Sequence, residues 1–131
     1  MLSRIDEKAA HWTPELRAEV EAARTNGRVG SELVSETDRY RIWLISIEPG
    51  ERLSFHTHVL NYFWVATSPG RARSRYLDGR VQEVDYHVGM TRHMDFAAGE
   101  FMTHDLENIG DAVLTFTTVE DKRSANAPLP L

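Results

Sequence analysis

Three histidines have a spacing that could serve a metal site. His56 and His58 are separated by one residue in an alternating, β-like run, and residues i and i+2 of a strand point to the same face. His104 lies in a second stretch that has its own glycine and asparagine. Neutral imidazole suits iron, copper, nickel and zinc better than magnesium or calcium. We therefore expect His56, His58 and His104 to hold a divalent transition metal inside a small β-barrel.

The composition limits the kind of site and the kind of partner. None of the 131 residues is a cysteine, which excludes thiolate ligands and a zinc ribbon. The 20 acidic and 15 basic residues are interspersed, and no basic stripe that would bind phosphates stands out, so we expect no nucleic-acid partner. Residues 1–10 lack a continuous apolar run, and no segment approaches the roughly 18 apolar residues of a membrane span. We expect a cytoplasmic protein that makes no membrane contact.

The elements that must position the histidines are mostly strands. Thr13, Pro14 and Glu15 have the order of an N-cap, a first helical residue and a first-turn acid, which predicts a helix over about residues 14–25. From about residue 28 to 120 the period becomes alternating, with turn signals such as Asp78-Gly79. Residues 1–131 are therefore expected to form one all-β domain, an antiparallel sandwich or barrel with one short N-terminal helix.

Two segments suggest contact with a second subunit. The strand predicted from Tyr40 to Ile47 places Ile42 and Leu44 on one face and Trp43 on the other, so both faces look buried. One face would line the barrel, and the other would meet the helix or a second subunit. The tail, residues 121–131, contains two prolines and cannot continue a central strand, so it would be frayed or would lie over a neighbour. We expect a homodimer.

The glycines and histidines together resemble the two motifs of the cupin superfamily, over about residues 38 to 120. The first motif is a glycine, five residues, His-x-His, then a glutamate and a glycine, and the second is Pro-x-Gly followed by a histidine and an asparagine. The matching residues are Gly50, His56, His58 and Gly70 in the first motif and Gly99, His104 and Asn108 in the second, with Ala97 in place of the proline. The resemblance implies an RmlC-like jelly-roll barrel with a metal site. The run from His58 to Val119 is most similar to small bacterial cupins named as β-alanine degradation proteins.

The glutamate of the first motif is missing, and its position holds Tyr62 or Phe63. Three neutral imidazoles leave the 2+ charge of an ion uncompensated, so the site should prefer a small, anionic, chelating molecule. Cupins without the glutamate include dioxygenases with three-histidine Fe(II) sites. The resemblance thus implies an enzyme that uses Fe(II), with Zn, Ni or Mn as other possible metals. Two alternatives stay open: a non-redox isomerase, lyase or hydrolase, and a binding module without catalysis.

Tyr62 is the candidate catalytic residue, because its hydroxyl could donate a hydrogen bond to a bound substrate. The alternative is that Tyr62 and Phe63 only fill space, one inside the barrel and one outside. The further candidates for a substrate pocket are Phe55, Phe63, His93, Phe101 and Met102. For His93 a supporting or surface role is the alternative, and His11 and His87 are expected to be solvated.

Arg71, Arg73 and Arg75 share one face of a predicted strand. An arginine that pointed inward could clamp a substrate carboxylate. Three inward arginines would be very costly to desolvate, so the triplet is expected to face solvent or a partner subunit. Asn108 is expected to stabilise a turn rather than to contact substrate.

Overall fold

The structure, a computed structural model, describes residues 12–131, which contain one α-helix, a short 3-10 helix (Ala23–Thr25) that follows it, and nine strands. His11 lies outside this part. The elements are α1 Pro14–Ala22, β1 Glu32–Glu36, β2 Tyr40–Ile47, β3 Arg52–His58, β4 Asn61–Ala66, β5 Gly70–Arg75, β6 Val81–Tyr86, β7 Thr91–Met94, β8 Met102–Asn108 and β9 Leu114–Asp121. The prediction of an all-β fold with one short N-terminal helix is confirmed. Within residues 12–131 no helix has the length and apolar character to cross a membrane.

The strands form two antiparallel sheets that enclose the core. The first sheet has the order β1-β2-β9-β4-β7, and the second has the order β3-β8-β5-β6. Ala72 and Leu106 of the second sheet pack with Ile45, Leu114 and Phe116 of the first. This core fills one part of the space between the sheets. The edge strands β6 and β7, one from each sheet, contribute side chains to a cavity in the remaining space.

Helix α1 lies on the outer face of β3. Thr13 caps it by accepting a hydrogen bond from the Leu16 amide at 3.1 Å. Its apolar residues pack on Phe55, and the Thr57 hydroxyl donates to the Ala23 carbonyl at 2.7 Å. Since alternate residues of a strand face opposite sides, these contacts direct the residues between and after them, His56 and His58, inward.

Strand β2 has one covered face and one exposed face. Trp43, Ile45 and Ile47 are buried between the sheets. On the opposite face Leu44 is 44% exposed, because the helix covers β3 instead. The idea that the helix could cover the second face of β2 is wrong.

The C-terminal tail lies against its own chain. The Asn126 amide donates to the Val59 and Ala97 carbonyls at 3.0 and 3.1 Å, and its oxygen accepts from the Gly99 amide at 2.8 Å. The Leu129 carbonyl accepts from the buried Arg41 guanidinium at 3.2 Å. These contacts replace the expected frayed or neighbour-bound tail, so the tail no longer argues for a dimer.

Candidate metal centre

Strands β3 and β8 bring the three histidines together. The two strands pair antiparallel, with His56 opposite His104 and His58 opposite Met102. A residue two positions from an inward side chain also points inward, so all three imidazoles face the space between the sheets. The glycines that precede the two strands, Gly50 and Gly99, both have a φ of +83°, a conformation that other residues rarely adopt. The two motifs therefore supply both the turns and the inward-facing ligand candidates.

The histidines form a tight cluster. One nitrogen from each of His56, His58 and His104 lies within 4.8 Å of the other two. The Nε2 atoms of His58 and His104 are 3.2 Å apart. Two nitrogens bound to one ion at about 2.1 Å, with ordinary coordination angles, would be roughly 3.0 to 3.4 Å apart. The separation of these two atoms therefore fits a shared metal ion.

Burial keeps the three imidazoles neutral. It lowers the pKa of His56 to about 4, although the hydrogen bond to the Ser54 carbonyl opposes this shift. It also lowers the pKa of His58 and of His104 well below the usual range, and the neighbouring histidines add to the effect. Neutral imidazole is the form that binds metal ions. At neutral pH the cluster is thus ready to bind a cation without first losing protons.

The hydrogen bonds of the cluster also fit a metal. The His56 Nδ1 lies 2.7 Å from the Ser54 carbonyl, which can only accept, so Nδ1 carries the proton and Nε2 is left as a ligand. Within residues 12–131 the buried Nδ1 atoms of His58 and His104 have no hydrogen-bond partner. Their Nε2 atoms face each other, an arrangement in which a cation between them would use both lone pairs. The three histidines therefore fit a divalent transition metal.

Tyr62 lies beside this cluster. Its ring stacks on the His58 ring, with centroids 4.2 Å apart, and it faces the cavity from β4. Burial raises the pKa of its hydroxyl well above the usual value. The hydroxyl makes no hydrogen bond to any other described residue, so it is a protonated donor that is free to serve a bound molecule.

A cavity of about 290 Å³ connects the histidines to solvent. Its buried lining includes His56, His58, Tyr62 and Thr118, and His104 is half-buried. The exposed lining residues mark the rim. The rim residues are Arg80, Gln82, Thr91 and Arg92. No carboxylate among the described residues lines the cavity. The space thus combines neutral ligand candidates in its interior with cationic side chains at its rim.

Only Met102 among the predicted pocket residues lines this cavity. Phe55 is wrong as a pocket residue, because it points to the opposite face of β3 and packs with Trp12 and Val20. The assignment of Phe101 to the pocket is also wrong. Phe101 lies two residues before Thr103 and therefore faces the same side of the sheet, opposite to Met102. The Thr103 hydroxyl contacts Thr57 on the helix side, and Phe101 does not line the cavity.

The assignment of Phe63 and His93 to the pocket is wrong for a related reason. They lie opposite each other in the β4–β7 pair, and their rings are in contact at a centroid distance of 5.1 Å. The neighbouring pairs on the same strands, which include Tyr62 and Trp64, face the cavity. Phe63 and His93 therefore lie on the outer side of the sheet. One of Tyr62 and Phe63 was expected inside the barrel and the other outside, and the structure places Tyr62 inside and Phe63 outside.

The arginine triplet of β5 lies outside the cavity and is paired with carboxylates. Arg73 contacts Glu83 at 2.8 Å, and Arg75 contacts the fully buried Asp105 side chain at 2.8 Å. The expected outward orientation is what the structure shows. Asn108 bonds the Ile47 and Ala112 carbonyls, both at 2.8 Å, and so stabilises a turn as expected.

The cavity residues that were not found from the sequence include Tyr76, Arg80, Tyr86 and Arg92. They lie on or next to three different strands, and no motif spacing connects them to the histidines. The alternation of side chains along β7 indicates that Arg92 and His93 face opposite sides of the sheet. Only the pairing of β7 with β4 shows that Arg92 faces inward.

Comparison with solved structures defines the fold. A cupin domain from Bordetella pertussis matches with a TM-score of 0.61 and 19% identity, over 70% of this chain and 90% of that one. A Klebsiella pneumoniae protein with a double-stranded β-helix domain matches with a TM-score of 0.57 and 21% identity, over 95% of both chains. An RmlC-like cupin from Methanocaldococcus jannaschii matches with a TM-score of 0.56 and 20% identity, over 76% of this chain and 79% of that one. The protein therefore has the cupin fold.

Comparison with curated proteins finds a partial relative. Oxalate decarboxylase of Bacillus subtilis is 32% identical over 78 residues, which cover 58% of this chain. The matched region is 19% of the relative, so this chain spans about a fifth of that enzyme's length. No protein-family model matches the chain.

Proposed function

We propose that the protein is a metal-dependent enzyme that acts on a small anionic organic molecule, and that its reaction is dioxygenation. One observation carries this proposal: three neutral histidines converge on a cavity that has arginines at its rim and no carboxylate in its described lining. The cavity volume of about 290 Å³ suits a small molecule.

The residues of the site have separate roles in this proposal. His56, His58 and His104 would hold the ion, and an Fe(II) ion at this place would supply the redox chemistry that the reaction of O₂ with the substrate requires. Because the histidines contribute no negative charge, the substrate itself supplies it. Tyr62 donates a hydrogen bond to the substrate through its protonated hydroxyl.

Oxygen uptake tests the proposal. The protein is loaded with Fe(II) under anaerobic conditions and then mixed with O₂ and a panel of small thiol carboxylates, diketones and phenol carboxylates. We expect stoichiometric O₂ consumption with at least one class, and none with His104→Ala loaded in the same way. Absence of uptake across the panel by the iron-loaded protein would contradict dioxygenation.

The likeness to oxalate decarboxylase favours a second candidate, cleavage of a small carboxylate with release of CO₂. The same histidines and rim arginines would bind the substrate in this reaction. Measurement of both gases separates the candidates, because release of CO₂ without matching O₂ consumption supports decarboxylation. Elemental analysis of freshly purified protein adds a second criterion, since manganese or zinc without iron favours decarboxylation over dioxygenation.

We also propose that the protein forms a homodimer. The outer face of β1 and β2 supports this, because Val34 and Leu44 are 42% and 44% exposed there. Exposed apolar side chains on a sheet gain stability when a second surface covers them.

A further inference from the structure

Arg92 differs from the other arginines on the described strands. Six arginines lie on these strands, and five form ion pairs with carboxylates: Arg41, Arg52, Arg71, Arg73 and Arg75. Arg92 pairs with no carboxylate among residues 12–131. A planar guanidinium presents two parallel N–H groups that match a carboxylate. Its capacity to bind an anion is therefore unused within the described chain.

The strand register directs Arg92 to the cavity. It lies opposite Trp64 in the β4–β7 pair, two residues along from the pair of Tyr62 with Met94, and all four side chains line the cavity. Arg92 is exposed, so it lies at the rim and can meet a molecule that enters. The other rim arginine, Arg80, is already paired with Asp78 at 2.9 Å.

The charge of Arg92 acts inside the cavity. Burial raises the pKa of Tyr62, of Tyr76 and of Tyr86, and the positive charge of Arg92 opposes the rise in each case. These three side chains line the same space as the histidines. The positive charge of Arg92 therefore favours an anion in the space that these tyrosines line.

We propose that Arg92 binds a carboxylate of the substrate at the cavity rim while another group of the same molecule faces the three histidines. This inference rests on the proposed function and specifies its substrate class: a small carboxylate that bears a metal-binding group at its other end. Tyr62, which stacks on His58, and Trp64, which lies opposite Arg92, are two residues apart on β4. Two residues span about 7 Å along a strand. The carboxylate and the metal-binding group should be separated by a similar distance.

A length series of dicarboxylates tests this assignment by calorimetry. The protein is loaded with Zn(II), which is redox-inert, and titrated with oxalate, malonate, succinate and glutarate. We expect succinate and glutarate to bind at least about tenfold more weakly to Arg92→Gln than to the unchanged protein, since a charged hydrogen bond contributes roughly this much. Oxalate is too short to reach from the histidines to Arg92, so its affinity should change little.

Three controls accompany the titration. Arg92→Lys keeps the charge without the planar fork, so it should restore part of the affinity for glutarate. His93→Gln changes the neighbouring residue, which faces away from the cavity, and should bind as the unchanged protein does. Glutaramide lacks the charge and should not distinguish Arg92→Gln from the unchanged protein. Because Arg92 is exposed, each variant at this position should fold normally, which circular dichroism checks.

The possible results are distinguishable. Equal affinity of Arg92→Gln and the unchanged protein for succinate and glutarate would overturn the assignment, as would no binding of either to the unchanged protein. If the protein takes up no Zn(II) but glutarate still binds in an Arg92-dependent way, the carboxylate site stands and the proposed metal function fails. If Zn(II) binds and glutarate binding does not depend on Arg92, only the present inference fails.

Discussion

The rings of Tyr62 and His58 are stacked, with their centroids 4.2 Å apart and their planes at 16°. Tyr62 thus lies against a candidate metal ligand, near the place where the cupin motif has a glutamate. The stacked ring restricts the orientation of His58, whose Nδ1 has no hydrogen-bond partner in the described chain. The hydroxyl on the same ring remains protonated and can donate to substrate.

Tyr62→Phe separates these two contributions. The substitution keeps the stacked ring and removes the hydroxyl, so we expect metal content to be unchanged and stability to change by less than about 1 kcal/mol. The rate of O₂ uptake should fall by about 100-fold or more if the hydroxyl takes part in proton transfer or donation. Tyr62→Leu, which also removes the ring, should lower metal affinity as well. A Tyr62→Phe protein with undiminished turnover would show that Tyr62 only packs.

His104→Ala removes one of the three candidate ligands. In the unchanged protein, a free metal concentration of one hundred times Kd should stabilise the fold by about 2.7 kcal/mol, and a chelator should reverse the gain. We expect His104→Ala to lose this metal-dependent increase in Tm. His93→Ala, which alters a histidine outside the cluster, should retain it. Equal metal-induced shifts in both variants would contradict the proposed ligand set.

Glu120 predicts a pH dependence of stability that is separate from the histidines. Burial raises its pKa to about 7, although the Trp43 indole N–H donates to it at 2.7 Å. Since the ordinary value is 4.5, the folded state holds more protons between pH 4.5 and 7, and the Glu120 contribution to stability is lost as the pH rises through 7. The glutamine in Glu120→Gln does not titrate. The free energy of unfolding of this variant, relative to that of the unchanged protein, should therefore rise by up to about 3 kcal/mol between pH 4 and pH 8.

Urea denaturation of the metal-free proteins at several pH values checks the Glu120 prediction. The quantity compared is the difference in the free energy of unfolding between Glu120→Gln and the unchanged protein at each pH. The contribution of the titrating histidines is the same in both proteins and therefore cancels. A difference that does not depend on pH would show that Glu120 ionises normally in the folded protein.

Asp105 stabilises the outer face of the second sheet. Its side chain is fully buried and accepts from the Arg52 and Arg75 guanidinium groups at 3.0 and 2.8 Å. Asp105→Asn leaves both cations without this charge and should lower the free energy of unfolding by about 2 to 4 kcal/mol. Asp85→Asn is the matched control, because Asp85 is 85% exposed and its contact with Arg71 is 3.6 Å long. Similar urea midpoints for the two variants would contradict a structural role for Asp105.

Leu44→Lys tests the proposed homodimer. Leu44 lies on the exposed face of β2 and opposite Glu32 of β1, so a lysine there can pair with Glu32 in a monomer. Light scattering should give a dimer mass for the unchanged protein and a monomer mass for Leu44→Lys. A monomer mass for the unchanged protein would remove this part of the proposal, and a dimeric Leu44→Lys would place the interface elsewhere.

Local sequence was sufficient for the features that depend on neighbouring residues. Thr13-Pro14 predicted the helix start, the alternating pattern predicted the β-fold, and the two-residue spacing of His56 and His58 predicted that their side chains share a face. In each case the physical cause acts within a few residues: a cap, a turn or the pleat of one strand. His104 was grouped with them because its stretch has its own glycine and asparagine, and the resemblance to a known motif supported this grouping.

The remaining features depended on the pairing of strands that are distant in sequence. Alternation along β4 and β7 separates Tyr62 from Phe63 and Arg92 from His93, but it does not show which member of each pair faces the cavity. The covered face is decided by the opposing sheet, and Phe55 was misassigned because the helix, rather than the barrel interior, buries it. The sequence alone therefore determined the histidine motif and the fold class. Only the tertiary structure decided that Tyr62 and Arg92 share a cavity with it, because burial depends on what the rest of the chain places opposite each strand.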